Sequence, residues 1–144
     1  MPIYIEKNMS VIGMQFNKII IEKTNPVKGK ISVKNNVALE KVEKHEVPVG
    51  TSKQTTARFH FKFTASYEPK IASITLKGFL TWFDKKEKIE ELAKTWSKDK
   101  KIDKEIMTEV LNTILGKCNI EALVLAREVN LPPPIPLPKV SIKQ

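Results

Sequence analysis

The sequence holds few of the residues from which small catalytic and metal sites are built. Its single cysteine, Cys118, permits no internal disulfide, which fits a reducing compartment, and a free thiol on an apolar stripe behaves as a small hydrophobe. The two histidines, His45 and His60, have no further His or Cys at ligand spacing, so a zinc site has little to be built from. A Cys–His nucleophile pair would require Cys118 to leave a core position and meet a distant histidine. The five glycines, at 13, 29, 50, 78 and 116, are isolated, which leaves out the glycine-rich loop that cradles phosphates. Glu105 and Glu109 have the i, i+4 spacing of an acid–base pair, but solvated helix faces carry that spacing routinely. Neither catalysis nor a cofactor is expected. No apolar run approaches the roughly 18 residues of a membrane span, and the opening MPIYIEKNMS lacks the apolar stretch of a secretion signal. The expectation is a cytoplasmic protein without membrane insertion.

What is present is a globular composition, with 41% hydrophobic and 28% charged residues, far from the apolar-poor signature of disorder. The 144 residues fit one domain. The formal charge is +9, and 23 of the 25 cations are lysines scattered along the chain. Spread lysines read first as a solvated surface and second as an anion-binding face.

Read in order, residues 1–9 form an N-terminal segment and residues 10–83 an antiparallel sheet. Residues 10–23, SVIGMQFNKIIIEK, are rich in β-branched residues and end before the Asn25-Pro26 turn signal. In a second strand, Ile31, Val33, Val37 and Leu39 share the period of two. Residues 43–56, with Pro48, Gly50, Thr51 and Ser52 and no apolar period, read as a loop. A third strand alternates Phe59, Phe61, Phe63, Ala65 and Tyr67 with Arg58, His60, Lys62, Thr64 and Ser66. The fourth, residues 72–83, sets Ile74, Leu76, Leu80 and Trp82 against Phe79 and Phe83, so its far end is apolar on both faces and needs cover on two sides.

Residues 84–130 read as two helices. Asp84 is expected to cap a short one over 85–97, with Ile89, Leu92, Ala93 and Trp96 on one face. Asp103 is expected to cap a longer one, where Ile106, Met107, Val110, Leu111, Ile114, Leu115, Cys118, Ala122, Leu125 and Val129 make a broad stripe to about Glu128. Gly116 and Asn119 allow a break in its middle. Residues 131–144 form a proline-rich arm, with five of the nine prolines in seven positions of LPPPIPLPKV. Proline fixes φ and removes amide donors, so the arm is extended, and Leu131, Ile135, Leu137 and Val140 favour docking on a surface.

This α+β layout, a four-stranded antiparallel sheet followed by a short and a long helix and a proline-punctuated arm, resembles the SecB family of export chaperones. The helix exit AREVNLPPPIPLPKV is similar to that family's helix end and Pro-x-Leu-x-Leu-x-Pro-Val stretch, with Pro134, Leu137, Pro138 and Val140 as nearest equivalents. The resemblance spans about residues 10–140 and implies a homotetramer, a dimer of dimers with helices at the centre. It also implies ATP-independent capture of unfolded polypeptides or preproteins in apolar grooves between sheet and helices. The chain departs from the family in being basic, against the acidic sheet face with which bacterial members contact their export motor. No counterpart of the family's C-terminal helix is expected, and a groove is expected to be lined differently here.

Apolar surface beyond one core's needs makes Phe59, Phe61, Phe63, Phe79, Trp82, Phe83, Trp96, Leu131 and Ile135 the candidates for client binding, since large exposed apolar patches mark binding sites. The wide helix stripe makes Leu111, Ile114, Cys118 and Leu125 candidates for a subunit interface. The rivals are a nucleic-acid or acidic-partner module using the positive surface, or a structural assembly subunit. Nucleic acid is disfavoured, because along Arg58-Phe59-His60-Phe61-Lys62-Phe63 the cations and rings point to opposite faces.

Overall fold

The computed structural model describes residues 11–135. The elements are β1 (Val11–Lys23), β2 (Ser32–Val49), β3 (Ser52–Glu68), β4 (Ala72–Phe83), helix α1 (Lys86–Asp99) and helix α2 (Lys104–Glu128). The four strands form one antiparallel sheet in the order β1-β4-β3-β2. Strands β2, β3 and β4 follow one another as hairpins and β1 lies beside β4, a Greek-key arrangement. The β1–β2 connection crosses the β3–β4 turn, where the amides of Thr24 and Asn25 both donate to the Ile71 carbonyl at 2.8 and 3.2 Å.

Strict alternation on the two central strands decides which face is covered. Phe59, Phe61, Phe63, Ala65 and Tyr67 of β3 and Ile74, Leu76, Leu80 and Trp82 of β4 are buried on one side. Both helices lie on that side, α1 against β2 and β3 and α2 against β4, β1 and β3. Helix α1 inserts Ile89, Leu92 and Trp96. Helix α2 inserts Ile106, Val110, Ile114, Cys118, Ala122 and Ala126, a ladder in steps of four. Each such step over-rotates by about 40° at 3.6 residues per turn, so the buried ridge winds around α2 as the helix crosses the twisted sheet.

Edge strand β1 follows the central strands only with bulges, where its register shifts between Val11 and Gly13 and between Phe16 and Lys18. At Gly78 the β1 backbone presses onto β4, and a Cβ there would stand 2.0 Å from the Gln15 carbonyl oxygen. Phe16, the cross-strand partner of Gly78, lies edge-on to Phe61 with centroids 6.1 Å apart.

Two expectations are corrected, for residues 43–56 and Asp84, and two are refined, for Gly116 and Asp103. Residues 43–56 are not a loop, because β2 and β3 continue in register through them to a tight turn at Gly50-Thr51, with Gly50 at φ +64°. Cross-strand hydrogen bonds hold this ribbon without an apolar period, and a lone apolar count could not register it. Helix α2 runs unbroken through Gly116, which faces solvent; the roughly 1 kcal/mol that glycine costs a helix is outweighed by the six buried rungs. Asp84 does not cap α1. Its carboxylate accepts from the Trp82 indole at 3.3 Å and the Lys85 amide at 2.8 Å, so the cap position falls on Lys85 without a side-chain bond. Asp103 does occupy the N-cap position of α2, but it caps with its carbonyl, accepting from the Met107 amide at 2.8 Å, and not with its carboxylate.

Candidate functional site

The apolar residues singled out from the sequence fall into three places. Phe59, Phe61, Phe63, Trp82, Trp96 and Leu131 are buried between sheet and helices, with Phe59 and Trp82 meeting edge-to-face at 6.2 Å. Phe79 and Phe83 lie on the uncovered sheet face. Phe79 is half-buried beneath the Arg58 guanidinium, 4.2 Å from its ring centroid, while Phe83 is 40% exposed. Ile135 is half-buried in the arm.

The same division runs around α2. Ile114 and Cys118 are rungs of the buried ladder, and Leu111 and Leu125 flank it half-buried. On the solvent side stand Ile120, 66% exposed, and Val124, 42% exposed. Together with Gly116 they form an outward ridge in steps of four. Both fall off the stripe that a single helical period selects, so the amino-acid order alone does not mark them.

The ridge leads into a cavity of about 450 Å³ where the last turns of α2 meet the arm, lined by Leu123, Val124, Ala126, Arg127, Leu131 and Pro133 among others. Three hydrogen bonds fix this junction. The Leu131 amide donates to the Ala126 carbonyl at 2.8 Å, the Tyr67 hydroxyl donates to the Pro132 carbonyl at 2.5 Å, and the Asn35 side-chain amide donates to the Pro134 carbonyl at 2.9 Å. The prolines, which cannot donate, are therefore held by their carbonyls. Tyr67 is buried at the end of the aromatic row, and desolvation pushes its hydroxyl up to about 12, so it stays a donor at neutral pH. Nothing in the sequence marked Tyr67 or Asn35 as arm anchors, beyond the oddity of Asn in a strand. Residues 131–135 are thus docked; Leu137, Pro138 and Val140 lie outside the described residues.

The geometry offers little to a covalent reaction. Cys118 is fully buried, and desolvation, helped by Glu121, pushes its thiol up to about 12, leaving almost no thiolate at neutral pH. Among the described residues no three His, Cys, Asp or Glu side chains cluster as metal ligands. No helix among the described residues is long and apolar enough to cross a membrane.

The uncovered sheet face amends one further expectation. Within β3 the cations and rings do point to opposite sides, but register with β4 brings Phe79 beside Arg58 and His60; the His60 and Phe79 rings lie 5.7 Å apart. On the same face His60 Nε2 meets Glu43 Oε2 at 2.5 Å, a hydrogen bond that holds the Glu43 carboxyl below the usual carboxylate range.

No family model and no curated protein matches the sequence. Among solved structures, the chain is similar to the SecB-like chaperone Rv1957 of Mycobacterium tuberculosis, solved in complex with a ChAD peptide from the antitoxin HigA1 (Rv1956). The match has a TM-score of 0.53 at 11% identity and covers 93% of this chain and 91% of that one. Sheet, helix pair and strand order together thus give the chain the SecB-like fold.

Proposed function

We propose that this protein is an ATP-independent holdase that binds unfolded polypeptides, preproteins among them, along the apolar surface between α2, the arm and the adjoining sheet. The observation that carries the reading is the apolar surplus of α2: beyond the buried ladder, Leu111, Leu125, Ile120 and Val124 remain partly or largely open to solvent. Of these, Val124 continues into the cavity beside Leu123, Leu131 and Pro133. The end of this surface, where Val124 meets the cavity and the arm, suits an extended chain whose alternate side chains seek cover. The aromatic row of β3 and β4 acts behind it as a rigid wall, with Leu131 as the residue shared by core and groove. The similar chaperone was solved with a peptide bound, which supports the same class of ligand here.

The outward ridge of α2 also serves self-association in this reading, with Leu111 and Leu125 at the edges of the contact and a homotetramer in the cytoplasm as the resting form. Isologous packing of the Gly116–Ile120 part of the ridge buries it without a second protein and leaves Val124 and the cavity beside it to the client. The test measures aggregation of a chemically denatured client without nucleotide, with light scattering of the free protein alongside. The wild type is expected to be oligomeric and to delay aggregation at moderate salt, because apolar contact is screened little. Leu123→Asp and Val124→Asp are expected to abolish the delay. A folded monomer that leaves aggregation unchanged would overturn the proposal.

A further inference from the structure

The sheet face opposite the helices carries an arrangement of charge that folding alone disfavours. Lys18 of β1, Lys77 of β4 and Lys62 of β3 stand directly opposite one another in one cross-strand row, and like charges in that position destabilise a sheet. Among the described residues only Lys77 of these three has an acid within ion-pair distance, Glu40 at 3.2 Å. Lys41 and His60 share Glu43, at 3.4 and 2.5 Å. Arg58, whose guanidinium leans over Phe79, makes no ion pair among the described residues, and its Nε is buried without a partner. The middle of this face thus sets Lys18, Lys62, Lys77, Lys41 and Arg58 against only Glu40 and Glu43, both already engaged. Glu22, Glu68 and Lys34 lie toward the Ser73–Ser66 end of the sheet.

We infer that this strip is a docking surface for an acidic polypeptide segment, separate from the apolar groove on the other side of the sheet. Three cations in one row with Arg58 beside them present donors to several carboxylates at once, and a guanidinium placed over a ring, 4.2 Å from its centroid, keeps a planar fork of donors that can take a carboxylate bidentately. Carboxylate side chains on short stems can settle between lysines spaced about 4.8 Å apart across strands.

A nucleic-acid strand fits the strip less well. The Phe79 face is already occupied by Arg58, the His60 ring is tied to Glu43, and the exposed Phe83 stands beyond Arg58 from the lysine row, so the strip offers a base little to stack on. A row about 10 Å wide also reaches few phosphates, whereas affinity for a strand grows with the number neutralised. Because the helices and arm occupy the far side of the sheet, an acidic partner and an apolar client can be held together.

Fluorescence anisotropy with a labelled Glu- and Asp-rich peptide at low ionic strength, about 0.05 M, tests the inference. The wild type is expected to give saturable binding that weakens with salt. The pair Lys18→Glu with Lys62→Glu is expected to weaken it by about tenfold or more, and Lys18→Gln with Lys62→Gln by a smaller factor in the same direction. An equal charge change on the exposed side of α1, Lys86→Glu with Lys94→Glu, is expected to leave binding within about threefold of wild type. Client holding should be unchanged throughout. Absence of peptide binding, an equal loss in the α1 control, or tighter binding of oligodeoxythymidylate that depends on Lys18 and Lys62 would each overturn the assignment.

Discussion

The two faces of the sheet are made by the same strands, residue by residue in alternation, yet they obey different rules. On the covered face, Phe61, Phe63, Ile74 and Leu76 are buried under the helices, and their identity is constrained by volume, since interiors are close-packed. On the bare face, Lys18, Lys62, Lys77 and Phe79 remain reachable by solvent, and packing places few demands on them. Where residues on the bare face stand in an order that costs stability, as the lysine row does, the order calls for a ligand to explain it. The covered face explains itself.

The sharpest way to break this comparison is to make the same truncation on both sides. Phe61→Ala, in the closed core, is expected to cost about 3–5 kcal/mol in denaturant unfolding. Phe79→Ala, one strand away under Arg58, is expected to cost about 1 kcal/mol, roughly its cation–π and partial burial terms. Equal losses would mean that the bare face is covered in solution.

A smaller effect sits at the edge of the covered face. Tyr67→Phe removes the bond to the Pro132 carbonyl and is expected to cost about 0.5–1.5 kcal/mol. It should also change the alkaline limb of stability. The hydroxyl is raised by desolvation from 10.0 to about 12 in the folded protein, so its contribution is complete below the unfolded value and is lost as pH rises through that interval. Melting temperature followed across this range should fall less steeply in Tyr67→Phe. Cys118, whose thiol is raised in the same sense from 9.0 to about 12, contributes to the slope that remains.

The smallest effect has the opposite sign. Lys62→Glu places a carboxylate opposite Lys77 and is expected to stabilise the fold by about 0.2–1 kcal/mol, read as a shift in denaturant midpoint. A loss of stability would show that the lysine row is a structural feature of the sheet and would weaken its reading as a binding strip.

Much of this architecture was legible in the amino-acid order. Alternation of Phe59, Phe61 and Phe63 with Arg58, His60 and Lys62 determined a half-covered strand, the spacing of Ile106, Val110, Ile114 and Cys118 determined a long helix ending near Glu128, and prolines 132–134 determined an extended exit. These are local facts, because side-chain direction repeats every two residues in a strand and every 3.6 in a helix. What the tertiary structure decided is everything that depends on register between distant segments. Pairing of β1 with β4 and of β4 with β3 brought Lys18, Lys77 and Lys62 into one row and set Phe79 beside Arg58. The crossing of α2 over a twisted sheet turned Ile120 and Val124 outward while Cys118 went in. The chaining of Tyr67 and Asn35 to the arm carbonyls joined residues 65 and 99 positions apart. No local period encodes such meetings, since they follow from how rigid elements stack once their apolar faces are satisfied, and it is at those meetings that both candidate binding surfaces arise.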